Sequence, residues 1–234
     1  MKKENKQEVI IILGAPGSGK GTQAELLAES RNLYYFETSK LLEQKFQQAK
    51  KGEAITIKGK RYDLLEERKL WETGILCTPA FVFHLVKTKI IELFEQRKNL
   101  VIAGSPRTLE EGKNLIPLLR RLYGDKNIKV IVLEIGAKAT IWRNTHRRIC
   151  ELMRHPIVYS KENAKLRYCP LDGSRLVARK GLDTPQSIKV RLKEYRERTY
   201  PLIDFFKEKE ITVKKINGEK SVEAVYKDVL KALR

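Results

Sequence analysis

An α/β fold, in which a parallel sheet carries helices on both faces, is what this sequence predicts, and two patterns carry the prediction. Short β-rich apolar runs recur at Val9 to Leu13, Leu33 to Phe36, Leu100 to Ala103, Lys129 to Ile135 and Ile211 to Ile216, and segments of helical spacing separate them. The first run leads directly into a glycine-rich turn, Gly14-Ala15-Pro16-Gly17-Ser18-Gly19-Lys20-Gly21-Thr22, which opens the helix-prone segment Gln23 to Glu29.

That order is strand, phosphate loop, helix. Glycines let a backbone wrap closely around phosphate oxygens, successive N–H groups and the helix N-terminus add partial positive charge, and Lys20 adds a full one. The turn therefore predicts a bound nucleoside polyphosphate. The Ser or Thr that usually follows the lysine is Gly21 here, which leaves Thr22 as the nearest hydroxyl.

The remaining elements follow from similar signals. Tyr34, Tyr35 and Phe36 read as core strand residues and not as a platform for a base. Thr184-Pro185 is a helix start, a capping hydroxyl before proline at the first helical position; Ile188, Leu192 and Tyr195 continue the stripe until Pro201 breaks or bends it. Val222, Val225, Tyr226, Val229 and Leu233 form one face of a closing helix that packs on the sheet.

Two stretches interrupt the alternation. Between Phe36 and Leu100 the chain is too long for one crossover helix and carries a glycine-punctuated piece at Lys51 to Lys60, which predicts an inserted helical subdomain. Between Ile149 and Asp183 it is polar and turn-rich, which predicts a small lid.

Composition narrows the class. With 234 residues, 41% of them hydrophobic and 8% aromatic, the chain can bury one sizeable core and carry insertions. Residues Met1 to Glu8 are strongly polar and the apolar run behind them is short, so neither a signal peptide nor a membrane span is expected, and a cytoplasmic location is. Three cysteines, Cys77, Cys150 and Cys169, imply no disulfide framework. A net charge of +19 concentrates phosphate-bearing ligands near the surface. Much of the excess is scattered lysine with no nucleic-acid module, so nucleic acid is not the expected main ligand.

Four strings, GAPGSGKGTQAELLAE, GSPRT, WRNTHRR and RLKEYRERTYPLIDFF, make nearly the whole chain resemble the adenylate kinase family. The resemblance implies a P-loop core with a five-stranded parallel sheet flanked by helices (residues 1–37, 81–148 and 184–234). It also implies a helical nucleoside-monophosphate-binding insertion (38–80) and a lid (149–183). The implied reaction transfers the terminal phosphate of ATP, with magnesium, to a monophosphate, AMP being the best single choice of acceptor, on a monomeric chain.

Phosphoryl transfer needs two phosphates held in line, charge on the equatorial oxygens neutralised, and water excluded. By resemblance, Lys20 reaches the donor phosphates and Arg107 grips the acceptor phosphate from a strand end. Arg143 and Arg147, four apart and expected on one helix face, meet the donor nucleotide and its phosphates. Arg191 contacts the transferring group, with either Arg179 or Lys180 as its lid partner. Arg148, Arg196 and Arg198 read as solvated.

The chain also departs from the family pattern. Ala103 stands where an aspartate usually helps to hold magnesium through water. The acceptor motif keeps Thr38 but reads Thr38-Ser39-Lys40-Leu41-Leu42-Glu43, with Glu43 in place of an arginine. Glu111 replaces a base-reading glutamine: its carboxylate can accept from the adenine amino group but cannot donate to N1, whereas it matches the N1–H and N2–H donors of guanine, so it reads either as altered base choice or as an exposed helix glutamate. In the lid, Cys150, Cys169 and Asp172 fall at three of the four ligand positions of relatives that bind zinc, and Met153 falls at the fourth. A thioether serves zinc poorly, so a metal-free lid packed by Ile157, Val158, Tyr159 and Leu166 is expected over a structural zinc, with His155 the nearest replacement ligand.

Overall fold

Val9–Gly14 (β1) is buried along its whole length because its aliphatic side chains serve both faces of a sheet: Val9, Ile11 and Leu13 enter one apolar cluster, Ile10 and Ile12 the other. The structure, a computed structural model, describes residues 7–154, 156–178 and 182–234.

The chain continues through α1 (Lys20–Arg31), β2 (Tyr34–Glu37), α2 (Thr38–Gln47), β3 (Ala54–Ile57), β4 (Lys60–Asp63), α3 (Leu64–Thr73), α4 (Pro79–Glu95), β5 (Leu100–Ala103) and α5 (Leu109–Tyr123). It then forms β6 (Ile128–Glu134), α6 (Ala137–Thr145), β7 (Arg148–Cys150), β8 (Pro156–Ile157), β9 (Leu176–Val177), α7 (Pro185–Glu194), α8 (Leu202–Glu208), β10 (Val213–Asn217) and α9 (Val222–Ala232). Five strands make one parallel sheet in the order β10-β6-β1-β5-β2. The strand order reverses beside β1, so the phosphate loop opens at the carboxyl edge where ligands of such sheets bind.

Two packed layers explain why the strands read as continuous apolar runs. Phe81, Val86, Ile90 and Leu93 of α4, Leu115 and Leu119 of α5 and Phe206 of α8 cover one face. Ala24 and Leu27 of α1 with Val225 and Val229 of α9 cover the other. Each of these side chains other than that of Ala24 contributes about 1.5–3 kcal/mol on full burial, so the sheet is a rigid base for its loops.

The expected helix start at Thr184 is present: its hydroxyl caps Ser187 N–H at 3.2 Å and Pro185 opens α7. A π-helical turn, Tyr195–Thr199, follows, and Pro201 stands at the N-cap of α8.

The first insertion differs from an all-helical expectation. Its glycine-punctuated piece is an antiparallel hairpin, β3 against β4, turned at Lys58 and Gly59 with φ of 47° and 80°. Two consecutive positive φ values suit the tight turn that matches strand twist, and Ala54-Ile55-Thr56-Ile57 supplies β-branched residues. The second insertion holds the small antiparallel sheet β8-β7-β9. Its packing also differs from expectation. Val158 and Tyr159 are exposed and Ile157 and Leu166 only half-buried, whereas Ile149, Cys150, Cys169 and Leu182 are buried. Of Tyr34, Tyr35 and Phe36 only Phe36 is buried; Tyr34 is exposed and Tyr35 lines a cleft.

Candidate active site

A cleft of about 470 Å³ opens at the carboxyl edge of the sheet, and Gly14 and Pro16 to Thr22 of the phosphate loop, Arg107, Arg143, Arg147 and Arg191 all line parts of it. The loop can curl because its glycines take conformations other residues resist: Gly17 has φ of 78°, and a Cβ there would stand 2.5 Å from Asn144 Nδ2. Lys20 Nζ folds back onto the carbonyls of Gly14 and Ala15 at 2.7 and 2.9 Å. Burial, then the charges of Arg107, Arg191 and Arg147, hold the Lys20 ammonium well below the usual lysine range, with Glu37 opposing them.

The arginines are positioned individually. Arg107 follows β5 beyond the cis Ser105–Pro106 bond, and a Cβ at Gly104 would lie 2.9 Å from Arg107 Nη2, so glycine lets the guanidinium settle over the strand end. Its backbone carbonyl accepts from Thr199 Oγ1 at 2.7 Å. Arg143, on α6, donates to Gly218 O at 2.8 Å and Glu219 O at 3.2 Å, bracing the loop before α9.

Arg147 lies beyond the C-cap of α6, not on the helix as its spacing suggests, because α6 ends at Thr145. Its guanidinium grips Asp183 with two bonds, Nε to Oδ2 at 3.1 Å and Nη2 to Oδ1 at 2.5 Å. Arg191, on α7, donates to the same Oδ1 at 3.3 Å and to Leu182 O at 2.9 Å. The Asp183 side chain is only 4% exposed, so a buried carboxylate aligns two guanidinium groups that would otherwise repel each other.

Two positions singled out in the sequence, Thr38 and Glu111, face inward in this arrangement. Thr38 Oγ1 donates to Ser105 Oγ at 3.0 Å, and both residues are buried. The Glu111 carboxylate accepts from Arg107 N–H at 3.1 Å, Ser105 Oγ at 3.4 Å and Thr108 Oγ1 at 3.3 Å. Thr108 in turn caps Glu111 N–H at 3.1 Å, so the pair resembles a capping box at the start of α5. Burial raises the Glu111 carboxyl above its ordinary value.

Other basic residues depart from a solvated reading. Arg148 donates to the carbonyls of Leu166 and Asn163 and ties the second insertion together. Arg198 pairs with Glu194 at 2.9 Å, while Arg196 is exposed. Arg179, Lys180 and His155 lie outside the described residues.

Cys150, Cys169 and Asp172 do meet: their ligand atoms all lie within 4.8 Å of one another. Cys150 Sγ donates to Asp172 Oδ2 at 2.9 Å, and Ser174 N–H and Oγ donate to Oδ1 at 2.9 and 2.7 Å. The Cys150 hydrogen bond, with those from Ser174, holds the Asp172 carboxyl well below its usual range. Two sulfurs and one oxygen are three of the four donors of a closed zinc site, but Met153 is 57% exposed. Among the described residues the set does not complete such a site. Cys77 is also buried, and burial pushes its thiol up to about 12.

Sequence reasoning missed Asp183 as a site residue, and it missed Glu37, Tyr35 and Arg154, which line the cleft. Nothing local marks Asp183, whose two arginines are 36 and 8 positions away. Trp142 and Tyr159 also meet edge to face, with centroids 5.0 Å apart, and join α6 to the second insertion.

Comparison with known proteins agrees with this geometry. A family model described as adenylate kinase matches residues 12–211. The chain is similar to an adenylate kinase of Caldicellulosiruptor saccharolyticus, 31% identical over 226 residues, covering 96% of this chain and 98% of that one. Adenylate kinases of Methanocella arvoryzae (30% identical, covering 96% and 97%) and Mycoplasma capricolum (31% identical, covering 85% and 86%) match as well.

Proposed function

The chain belongs to the adenylate kinase family, and from that premise we infer that this cleft transfers the terminal phosphate of ATP to AMP and back, giving two ADP. The observation that carries the reading is the convergence of Lys20, Arg107, Arg147 and Arg191 on one cleft beside a phosphate loop. Asp183 offsets part of the charge of Arg147 and Arg191 and Glu37 part of that of Lys20; the cationic charge that remains is costly unless an anion of high charge enters, and two bound nucleotides supply it.

The division of labour follows from placement. The phosphate loop with Lys20 holds the donor phosphates, and Arg143 lies on the donor side where it braces the loop. Arg107, at the end of β5, takes the acceptor phosphate. Arg147 and Arg191, aligned by Asp183, face the oxygens that gain charge as the phosphoryl group moves. Arg179 is the candidate lid contact. Magnesium entering with ATP supplies further charge neutralisation at the phosphate oxygens. No general base is needed, because the acceptor phosphate is already an anion.

We assign residues 38–80 as the acceptor subdomain and 149–183 as the lid that excludes water. Thr38 and Glu111 act from beneath the acceptor pocket by fixing the Arg107 turn. The reaction is placed in the cytoplasm, on one chain that carries both substrate sites. No described helix is long and apolar enough to cross a membrane.

The test is diphosphate formation with magnesium–ATP against AMP, GMP, UMP and CMP. AMP should be the preferred acceptor, and Lys20→Ala and Arg107→Ala should each lower turnover by about a hundredfold or more. Turnover with GMP and none with AMP would transfer the assignment to another acceptor and return base choice to Glu111.

A further inference from the structure

Glu37 closes β2, Ala103 closes β5, and the two are register partners in adjacent parallel strands. Partners in such a pair point to the same face of the sheet. That face is the one under α1, because Ala103 belongs to the apolar cluster there and Tyr35, two residues before Glu37, packs against it. The carboxylate missing from position 103 is thus replaced, one strand over and on the same side, by a carboxylate at position 37.

Glu37 lines the cleft with Lys20 and Gly21, and its charge acts on the Lys20 ammonium. Three neighbours aim it. Tyr35, whose hydroxyl lies 3.1 Å from where a Cβ at Gly21 would be, stands beside Glu37; burial and then the Glu37 charge push its phenol well above the ordinary range. Ser39 Oγ donates to Oε1 at 2.5 Å, and Lys40 Nζ stands 3.8 Å from Oε2. A carboxylate has about four acceptor positions, so these contacts orient it and leave it able to accept from water.

Other acids at the cleft are engaged elsewhere. Glu43 pairs with Arg154, and Glu194 accepts from Leu76 N–H and Arg198. Glu25 lies more than one turn into α1, where its charge acts on the Tyr35 phenol. Hard carboxylate oxygens are what magnesium and its waters prefer.

We propose that Glu37 holds the water shell of the magnesium that accompanies ATP, in place of a carboxylate at the end of β5. This rests on the reading of the cleft as the ATP site. Glu37 is a positioning residue in this role, acting on the metal through water and on the nucleotide only through the metal.

Manganese, which can be followed by electron paramagnetic resonance, is the probe. Its affinity is measured for the wild-type protein–ATP complex, for Glu37→Gln, and for Glu37→Gln combined with Ala103→Asp, alongside ATP binding in chelator. Glu37→Gln should weaken manganese binding about tenfold or more, ATP binding without metal should be retained, and Ala103→Asp should recover much of the loss. Should Glu37→Gln fail to fold, Glu37→Asp, which withdraws the charge by one methylene, is expected to show a smaller loss of the same sign. Manganese affinity equal to wild type in every variant that folds would overturn the proposal while leaving the kinase intact. Failure of the wild-type protein to bind ATP in chelator would instead overturn the reading of the cleft.

Discussion

Arg154 Nη2 lies 2.7 Å from Glu43 Oε1, an ion pair that joins the second insertion to helix α2 across 111 residues of sequence. Glu43 stands where the family pattern has an arginine, and a bare carboxylate there would repel an acceptor phosphate. The pair gives that acid a partner, and under the proposed assignment of the two insertions it makes the charge of the acceptor side depend on the second insertion. Removing Arg154 should therefore act on the acceptor. Arg154→Ala is expected to raise the KM for AMP about tenfold, roughly 1.4 kcal/mol, with a smaller change in kcat. Adding Glu43→Gln should recover most of that loss. Steady-state kinetics with AMP varied at saturating ATP decides it, and an unchanged KM in Arg154→Ala would show that the pair is without effect on the acceptor.

Asp183 aligns Arg147 and Arg191 from a buried position. Asp183→Asn keeps the shape and removes the charge, so both guanidinium groups lose their common anchor. A misplacement of about 1 Å can cost on the order of a hundredfold. The expected result is a fall in kcat of about tenfold to a hundredfold with little change in the KM for ATP. Wild-type kcat in this variant would mean that the arginines are positioned by other contacts.

Glu111 offers a test through pH. Its burial raises the carboxyl above the ordinary value near 4.5. A raised carboxyl contributes stability below its ordinary pKa and loses that contribution as pH rises through the raised one. Urea midpoints compared at about pH 4 and about pH 7 should show wild type losing ground to Glu111→Gln at the higher pH. Any cost of about 1 kcal/mol from an altered hydrogen bond would offset both values alike. A difference independent of pH would show that Glu111 has an ordinary pKa.

The second insertion is expected to hold without metal, through Cys150, Asp172 and Ser174. Mass spectrometry of metals in protein purified without chelator should find zinc well below one per chain. Zinc at one per chain in wild type and absent from Cys169→Ser would reveal a fourth ligand beyond the three that meet here.

Much of the fold was legible because its signals are local. A five-residue aliphatic run followed by a glycine-rich turn marks a strand and phosphate loop within a short window, and Thr184-Pro185 marks a helix start within two residues. The strand boundaries moved by one or two positions, Leu33 giving way to Tyr34 and Ile211 to Val213, since hydrogen-bond register and not hydrophobicity ends a strand. The hairpin at Ala54 to Asp63 was hidden inside a charged stretch, where Lys58-Gly59 forms the turn despite lacking the commonest turn pair.

Lys20 and four of the arginines of the cleft were readable as candidates, because cations at motif-defined positions carry their own signal. Their partners were not. Asp183, Arg154 and Glu37 acquire their roles only when β7, α7, α2 and the ends of β2 and β5 come together, and no spacing along the chain encodes those meetings. Sequence alone determined the parallel sheet, the phosphate loop and the two insertions, since apolar periodicity and turn chemistry act over a few residues. The tertiary structure decided which acids neutralise or align those cations, because Coulomb energy and hydrogen bonding depend on distance in space.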